Sequence, residues 1–256
     1  MLLAIDVGNT NITLGLYEGE ARKAAWRLAT EHERMPDEYG LQMLGLLGHA
    51  GVETKQLTGA VLASVVPPLT GTFVQACVHY LGVAPLVVDA GVKTGVRIRY
   101  EDPKAVGADR VADAVAARQL YGTPACVVDF GTATTFDAIS AEGDYLGGAI
   151  APGIGIAAEA LFHRTAKLPR VDLARPPAAI GRNTVHAIQS GMLFGYAGLV
   201  EGMVARFRLE LGPGTKVIGT GGLAELVANE TPVIEVVAPW LTLEGLRIIW
   251  DLNRSS

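Results

Sequence analysis

The sequence predicts an α/β protein built from two copies of one domain. Apolar, strand-like runs alternate with stretches of helical spacing along the whole chain. A strand that ends in Asp-x-Gly occurs twice, at Asp6-Val7-Gly8 and at Asp129-Phe130-Gly131. The composition suits close packing of such layers: of 256 residues, 50% are hydrophobic, 6% are aromatic and 31 are glycine. That much apolar material excludes a disordered chain.

The first copy opens with Leu2 to Ile5, a buried strand running into Asp6-Val7-Gly8-Asn9-Thr10-Asn11-Ile12-Thr13. A second strand reaches the polar turn Glu18-Gly19-Glu20, and a third follows. Asp37 to Ala50 carries apolar residues at 39, 41, 43, 44, 46 and 47, which predicts a largely buried helix stopped by Gly51. Ala60 to Val66 reads as a buried strand ended by Pro67-Pro68, Thr72 to Leu81 as a helix, and Pro85 to Asp89 as the next strand. Asp102-Pro103 has the form of an N-cap with proline at the first helical position, and helical spacing runs from Ala108 to Leu120. Gly122-Thr123-Pro124 is the natural cut, giving domains at residues 1–121 and 122–256.

The second copy repeats the opening. Ala125 to Val128 leads into Asp129-Phe130-Gly131-Thr132-Ala133-Thr134-Thr135, followed by a strand and the turn Ala141-Glu142-Gly143. Only Asp and Gly are shared across the offset, so the common strand–turn–strand order carries the repeat. Gly155 to Lys167 reads as a helix, and Leu168 to Pro177 as a proline-rich loop. Asn183 caps a long helix from Thr184 to about Leu211, with Gly191, Gly195, Gly198 and Gly202 on one face. Val217 to Gly222 is a strand entering a glycine-rich turn. Two such domains facing each other place two acidic turns around one cleft.

Charge and cysteine content narrow the class. Twenty-one Lys+Arg against 26 Asp+Glu give a net charge of −5, which argues against a non-specific nucleic-acid binder. Cys77 and Cys126 lie in apolar contexts and read as two buried, reduced thiols. No apolar run approaches the ~20 residues of a membrane span, and Asp6 interrupts the N-terminus before a signal-peptide core. A soluble, cytoplasmic protein with no membrane partner is expected.

The Asp-x-Gly turns suit phosphate. Glycine permits close approach, Asn, Thr and backbone N–H groups match phosphate oxygens, and Asp6 at a strand end can hold Mg²⁺ through water. A single such turn is ordinarily an Asx-rich hairpin; its duplication after buried strands favours a phosphate cleft. Other solutions are absent: there is no Gly-x4-Gly-Lys-Ser/Thr, no Gly-x-Ser-x-Gly and no paired histidine metal motif. Gly153 to Ala158 matches a relaxed dinucleotide fingerprint, but Pro152 precedes it and it does not open a βαβ unit. Val106-Gly107-Ala108-Asp109-Arg110 is the best reacting centre, with Asp109 as a general base beside the cation Arg110. Complementation of the helix dipole, worth ~0.3–1 kcal/mol, explains the same Asp equally well by spacing.

Taken together these motifs resemble the type III pantothenate kinases of the acetate/sugar kinase, Hsc70 and actin superfamily. The likeness runs the length of the chain: Asp6 to Asn11, Tyr100 with Gly107-Ala108-Asp109-Arg110, Asp129 to Thr135, Gly147 to Gly153, Ile180 to Thr184, and Gly219 to Gly222. It implies two actin/ribonuclease H-like domains and ATP-dependent phosphorylation of pantothenate, the first step of coenzyme A biosynthesis. By resemblance Asp109 accepts the hydroxyl proton, and Tyr100, Gly107, Ala108, Arg110 and Thr184 contact pantothenate. Asp6, Val7, Gly8, Asn9, Thr10, Asn11, Ile12, Thr13 and Thr132 bind ATP with Mg²⁺. Asp129 is similar to the ligand of a monovalent cation, K⁺ or NH4⁺, and the family forms homodimers. The rivals are a non-enzymatic transcription accessory factor of the same family and another small-molecule kinase or phosphatase of the superfamily.

Overall fold

The structure, a computed structural model, describes residues 1–254. Its first half opens with β1 (Leu2–Val7), β2 (Asn11–Glu18) and β3 (Ala21–Ala29), then α1 (Pro36–His49), β4 (Gly59–Ser64), α2 (Pro67–Ala76) and β5 (Pro85–Val87). After α3 (Ala108–Ala116) the pattern recurs: β6 (Ala125–Phe130), β7 (Ala133–Ile139), β8 (Tyr145–Pro152), α4 (Ile154–Arg164), α5 (Thr184–Leu211), β9 (Lys216–Thr220), α6 (Ala224–Ala228) and β10 (Val236–Val237). The chain closes with α7 (Leu241–Arg254).

Sheet order shows the duplication directly. One sheet runs β3-β2-β1-β4-β5 and the other β10-β9-β6-β7-β8, which is the same order read from the opposite edge. In both, the opening strand pairs antiparallel with its hairpin partner and parallel with the strand that returns after the helices. The two turns are also built alike. Gly8 N–H donates to Asn11 O at 3.0 Å, and Gly131 N–H to Ala133 O at 3.1 Å. Registers Val7↔Ile12 and Phe130↔Thr134 make the second turn one residue shorter.

Two compact units result. One holds Met1–Val96, Glu101–Ala116 and the C-terminal segment from Leu241; the other holds Arg97–Tyr100 and Ala117–Trp240. The main crossover at residue 117 lies close to the cut read at Gly122, but the C-terminal helix departs from a division into 1–121 and 122–256. α7 returns to the first unit because its buried face, including Leu243, Leu246 and Ile249, packs on β1, β2, β4 and α3. Gly245 makes that packing possible, since a Cβ there would strike the Ala112 carbonyl.

Each core follows from its sheet. In the first unit Leu3, Ile5, Leu14 and Leu62 meet Tyr39 and Met43 of α1 and Phe73 of α2. α1 is less buried than its apolar count predicts: Tyr39, Gly40, Met43 and Leu47 face inward while Leu41 is 62% exposed. Its stripe follows the helical period, so Leu41 falls on the outer side. In the second unit Cys126, Val128, Phe136 and Val217 meet Leu193, Tyr196, Val200 and Val204 of α5. Asp102 caps only a 3-10 turn, Pro103–Ala105, through Lys104 N–H; the α-helix proper starts at Ala108.

Candidate active site

In the first unit the Asp6 turn and the Asp109 turn share one end of the sheet. Asp6 is half-buried at the end of β1, in register with Thr13 on β2 and Ala63 on β4. Thr30 holds the turn from behind: its hydroxyl donates to Gly8 O at 2.7 Å, and its N–H to Thr10 O at 3.0 Å. Asn9, Thr10 and Asn11 are exposed there, whereas Val7 and Ile12 are fully buried core residues. Val7 and Ile12 can therefore offer a nucleotide only their backbone. Val65, just beyond β4, donates its N–H to Val7 O at 3.0 Å.

Gly107 lies against that same Val65, where a Cβ would stand 3.3 Å from its Cγ1. A Cβ at Gly107 would also collide with Oδ1 of Asp109, so the missing side chain is what lets this carboxylate fold back over the turn. Oδ1 accepts the Arg110 N–H at 2.8 Å. Burial pushes the Asp109 carboxyl above the usual carboxylate range, against the opposing pull of that N–H and of the Arg110 charge. A base is more effective when its pKa lies near the working pH. Asp6, Asp109 and Arg110 thus stand at the carboxyl ends of β1 and β4, where open α/β sheets bind ligands.

In the second unit two glycine-rich motifs, those of Gly153 and Gly221, close on the Asp129 turn. Asp129 ends β6 in register with Thr135 and Thr220. Gly221 adopts φ +89, and a Cβ there would strike Asp129 Oδ1 and the Phe130 backbone. Gly153 leaves no room either, since its Cβ would meet the carbonyls of Gly131 and Thr132. Tyr196 of α5 donates to Pro152 O at 2.8 Å and fixes that end of β8. Nothing in the sequence marks Gly153 or Gly221 as lying against the turn beyond their place in glycine-rich motifs after strands.

Thr184 and Tyr100 stand apart from that turn within the same unit. Thr184 is exposed at the start of α5, whose first turn is capped by Asn183 Oδ1 accepting the His186 N–H at 2.9 Å. It opens on a cavity of about 480 Å³ lined by Leu161, Leu168, Ile188 and Met192, with Arg182 and Asn183 as polar groups. Tyr100 is 41% exposed and rests against β8. Among the described residues no group of three or more His, Cys, Asp or Glu is placed to hold a metal by itself. Single carboxylates such as Asp6 fit Mg²⁺ differently: it keeps several waters and is shared with nucleotide phosphates. Asp129 offers a single carboxylate, with Gly131 and Gly221 against its oxygens.

Comparison with known proteins bears on the family. A family model described as type III pantothenate kinase matches residues 2–206. A protein of that name from Moorella thermoacetica is 55% identical over 253 residues, covering 99% of this chain and 100% of its own. Its namesake from Geobacter sulfurreducens is 52% identical over 254 residues, covering 99% and 100%. Among solved structures, a Campylobacter jejuni protein of the Baf family, proposed as a transcriptional activator, aligns with TM-score 0.63 at 20% identity, covering 99% of this chain and 100% of that one. The activator of 2-hydroxyisocaproyl-CoA dehydratase from Clostridium difficile, with bound ADPNP, aligns with TM-score 0.54 at 11% identity, covering 99% and 96%. At those identities the two structures speak for the fold alone, the duplicated actin-like architecture.

Proposed function

This chain belongs to the type III pantothenate kinase family, and from that premise we propose how its residues divide the reaction. The chain transfers phosphate from ATP to pantothenate, opening coenzyme A biosynthesis. Asp109 accepts the proton of the primary hydroxyl as the phosphoryl group arrives. Arg110, Tyr100 and Thr184 contact pantothenate, with Gly107 and Ala108 supplying backbone. The turn from Asp6 to Thr13, together with Thr132, holds the nucleotide, with Mg²⁺ carried through water by Asp6. When bound, that ion offsets phosphate charge. Asp129 takes K⁺ or NH4⁺.

The observation that carries this reading is the Asp109 turn. A glycine whose missing Cβ admits the carboxylate, burial that raises its pKa, and a neighbouring Arg together make a base beside an anion-gripping cation. Phosphoryl transfer needs little more from the protein than positioning and charge neutralisation. Tyr100→Ala tests the substrate half: KM for pantothenate rises about tenfold, the equivalent of one ~1.4 kcal/mol contact, while KM for ATP holds. An unchanged pantothenate KM removes Tyr100 from the site. The regulator reading is not favoured, because relatives named as kinases match at 52–55% over the whole chain.

A homodimer built mainly by the second unit belongs to the same proposal. On α5 the core face is Leu193, Tyr196, Val200 and Val204, while a Cβ at Gly191, Gly195 or Gly198 would point into open space and one at Gly202 would stand 3.5 Å from Arg206 Nη1. Each glycine costs helix stability of about 1 kcal/mol relative to Ala, so close approach by a second copy gives them a purpose. Ile150, Ile156, Phe162 and Ile180 of this unit are also exposed. Light scattering reads the outcome: the wild type runs at twice the 26.9 kDa chain mass, and Gly195→Leu, folded, runs at the single mass. A wild-type monomer at micromolar concentration contradicts the dimer. A cytoplasmic setting suits the two free thiols, Cys77 and Cys126, whose burial pushes both up to about 12 and leaves them inert. No helix among the described residues is long and apolar enough to cross a membrane.

A further inference from the structure

β8 is an edge strand of its sheet, and the short segment Arg97–Tyr100 lies along its open side. Tyr145 N–H donates to Arg97 O at 2.9 Å and Arg99 N–H to Tyr145 O at 2.8 Å, so the segment adds a brief parallel bridge to the sheet. Arg99 Nε also meets Asp144 Oδ2 at 2.8 Å. Register slips here: Ala138 faces Gly147 and Ile139 faces Tyr145, leaving Leu146 as an extra residue. Bulges of this kind turn a strand end and re-aim what it carries.

What it carries is a platform for one aromatic ring. Tyr100 packs against Tyr145 with ring centroids 6.5 Å apart and planes tilted by 54°. Gly147 adopts φ +122, and a Cβ there would stand only 3.2 Å from Cδ2 and Cε2 of the Tyr100 ring. Beneath them Tyr145 donates its hydroxyl to Asp137 Oδ1 at 2.9 Å, with both residues fully buried. Thr135 Oγ1 donates to the other oxygen, Asp137 Oδ2, at 3.2 Å. Burying a carboxyl in a strand interior is costly unless it is hydrogen-bonded, so these two contacts are held firmly. Here they fix the Tyr145 ring, and through it Tyr100.

We propose that Gly147 and the Tyr145–Asp137 pair are positioning residues that set the Tyr100 ring for pantothenate. This rests on the reading of Tyr100 as a substrate contact. The seat acts on binding of one substrate and leaves phosphoryl transfer and ATP alone. A side chain at Gly147 strains the backbone and pushes the ring by a few tenths of an ångström.

Steady-state kinetics on the full-length enzyme separates the possibilities. Gly147→Ala raises KM for pantothenate about tenfold, with kcat and KM for ATP within about twofold, and adds nothing further in a Tyr100→Ala background. Such non-additivity is what a merely structural lesion does not produce. If Gly147→Ala does not fold, Tyr145→Phe decides in its place. It leaves the β8 backbone intact, and its rise in pantothenate KM likewise vanishes when Tyr100 is Ala. A pantothenate KM unchanged by Gly147→Ala or Tyr145→Phe, while Tyr100→Ala raises it, overturns the seat and spares the substrate contact. Equal, additive losses in the double variants overturn it too. Tyr100→Ala without effect instead overturns the contact on which the seat depends.

Discussion

Asp109→Asn lowers turnover by about 10²–10⁴-fold, the span that general bases contribute. The substitution isolates chemistry from architecture. Asn keeps an oxygen for the Arg110 N–H, which Asp109 Oδ1 accepts at 2.8 Å, so the start of α3 survives. What is lost is the capacity to hold a proton. Thermal unfolding and far-ultraviolet circular dichroism of the variant then match the wild type while kcat collapses. The pH profile gives a second reading. Burial raises the Asp109 carboxyl, so protonation disables the base at a higher pH than an ordinary Asp near ~3.9 would require. The wild-type kcat/KM therefore falls as pH drops through that raised value, and the Asn variant lacks this limb. Near-normal turnover in a folded Asn variant reduces Asp109 to a helix-terminus acceptor.

If Asp129 holds the proposed monovalent cation, Asp129→Ala weakens the dependence on K⁺ or NH4⁺ along with the use of ATP. At ~4 Å a unit charge is worth about 1–4 kcal/mol between water and a protein surface, so losing such an ion beside triphosphate costs roughly 5- to 10³-fold in rate. Two glycines lie against this carboxylate: a Cβ at Gly221, whose φ is +89, would strike Oδ1, and one at Gly131 would stand 3.2 Å from Oδ2. Ala at 129 is smaller and disturbs neither. ATP saturation curves in K⁺, NH4⁺ and Na⁺ buffers check this, with the wild type active only in the first two. Full wild-type activity with Na⁺ or Tris as the only cation contradicts the assignment.

Much of the fold was legible because local signals agreed with it. Asp6-Val7-Gly8 and Asp129-Phe130-Gly131 end strands of matching topology, and Asn183 caps the helix it announces. The α5 glycine face was legible as a face, though not whether it met its own sheet; its open side had to be seen. Three things lay beyond the sequence. The return of α7 to the first unit depends on Gly245 fitting Ala112, a contact between residues far apart along the chain. The burial of Val7 and Ile12 inside a turn named for ATP follows from strand alternation reaching into the motif. The seat under Tyr100 joins Tyr100, Asp137, Tyr145 and Gly147 across a bulge, and a register slip of one residue leaves no mark in an amino-acid pattern.

The transfer itself is read by ADP release from the wild type in K⁺ buffer, with ATP and Mg²⁺, over pantothenate and a panel of sugars. ADP release that rises and saturates with pantothenate, with the phosphate recovered on pantothenate and the sugars inert, is the predicted result. ADP release that follows a sugar, or that is indifferent to pantothenate, contradicts it.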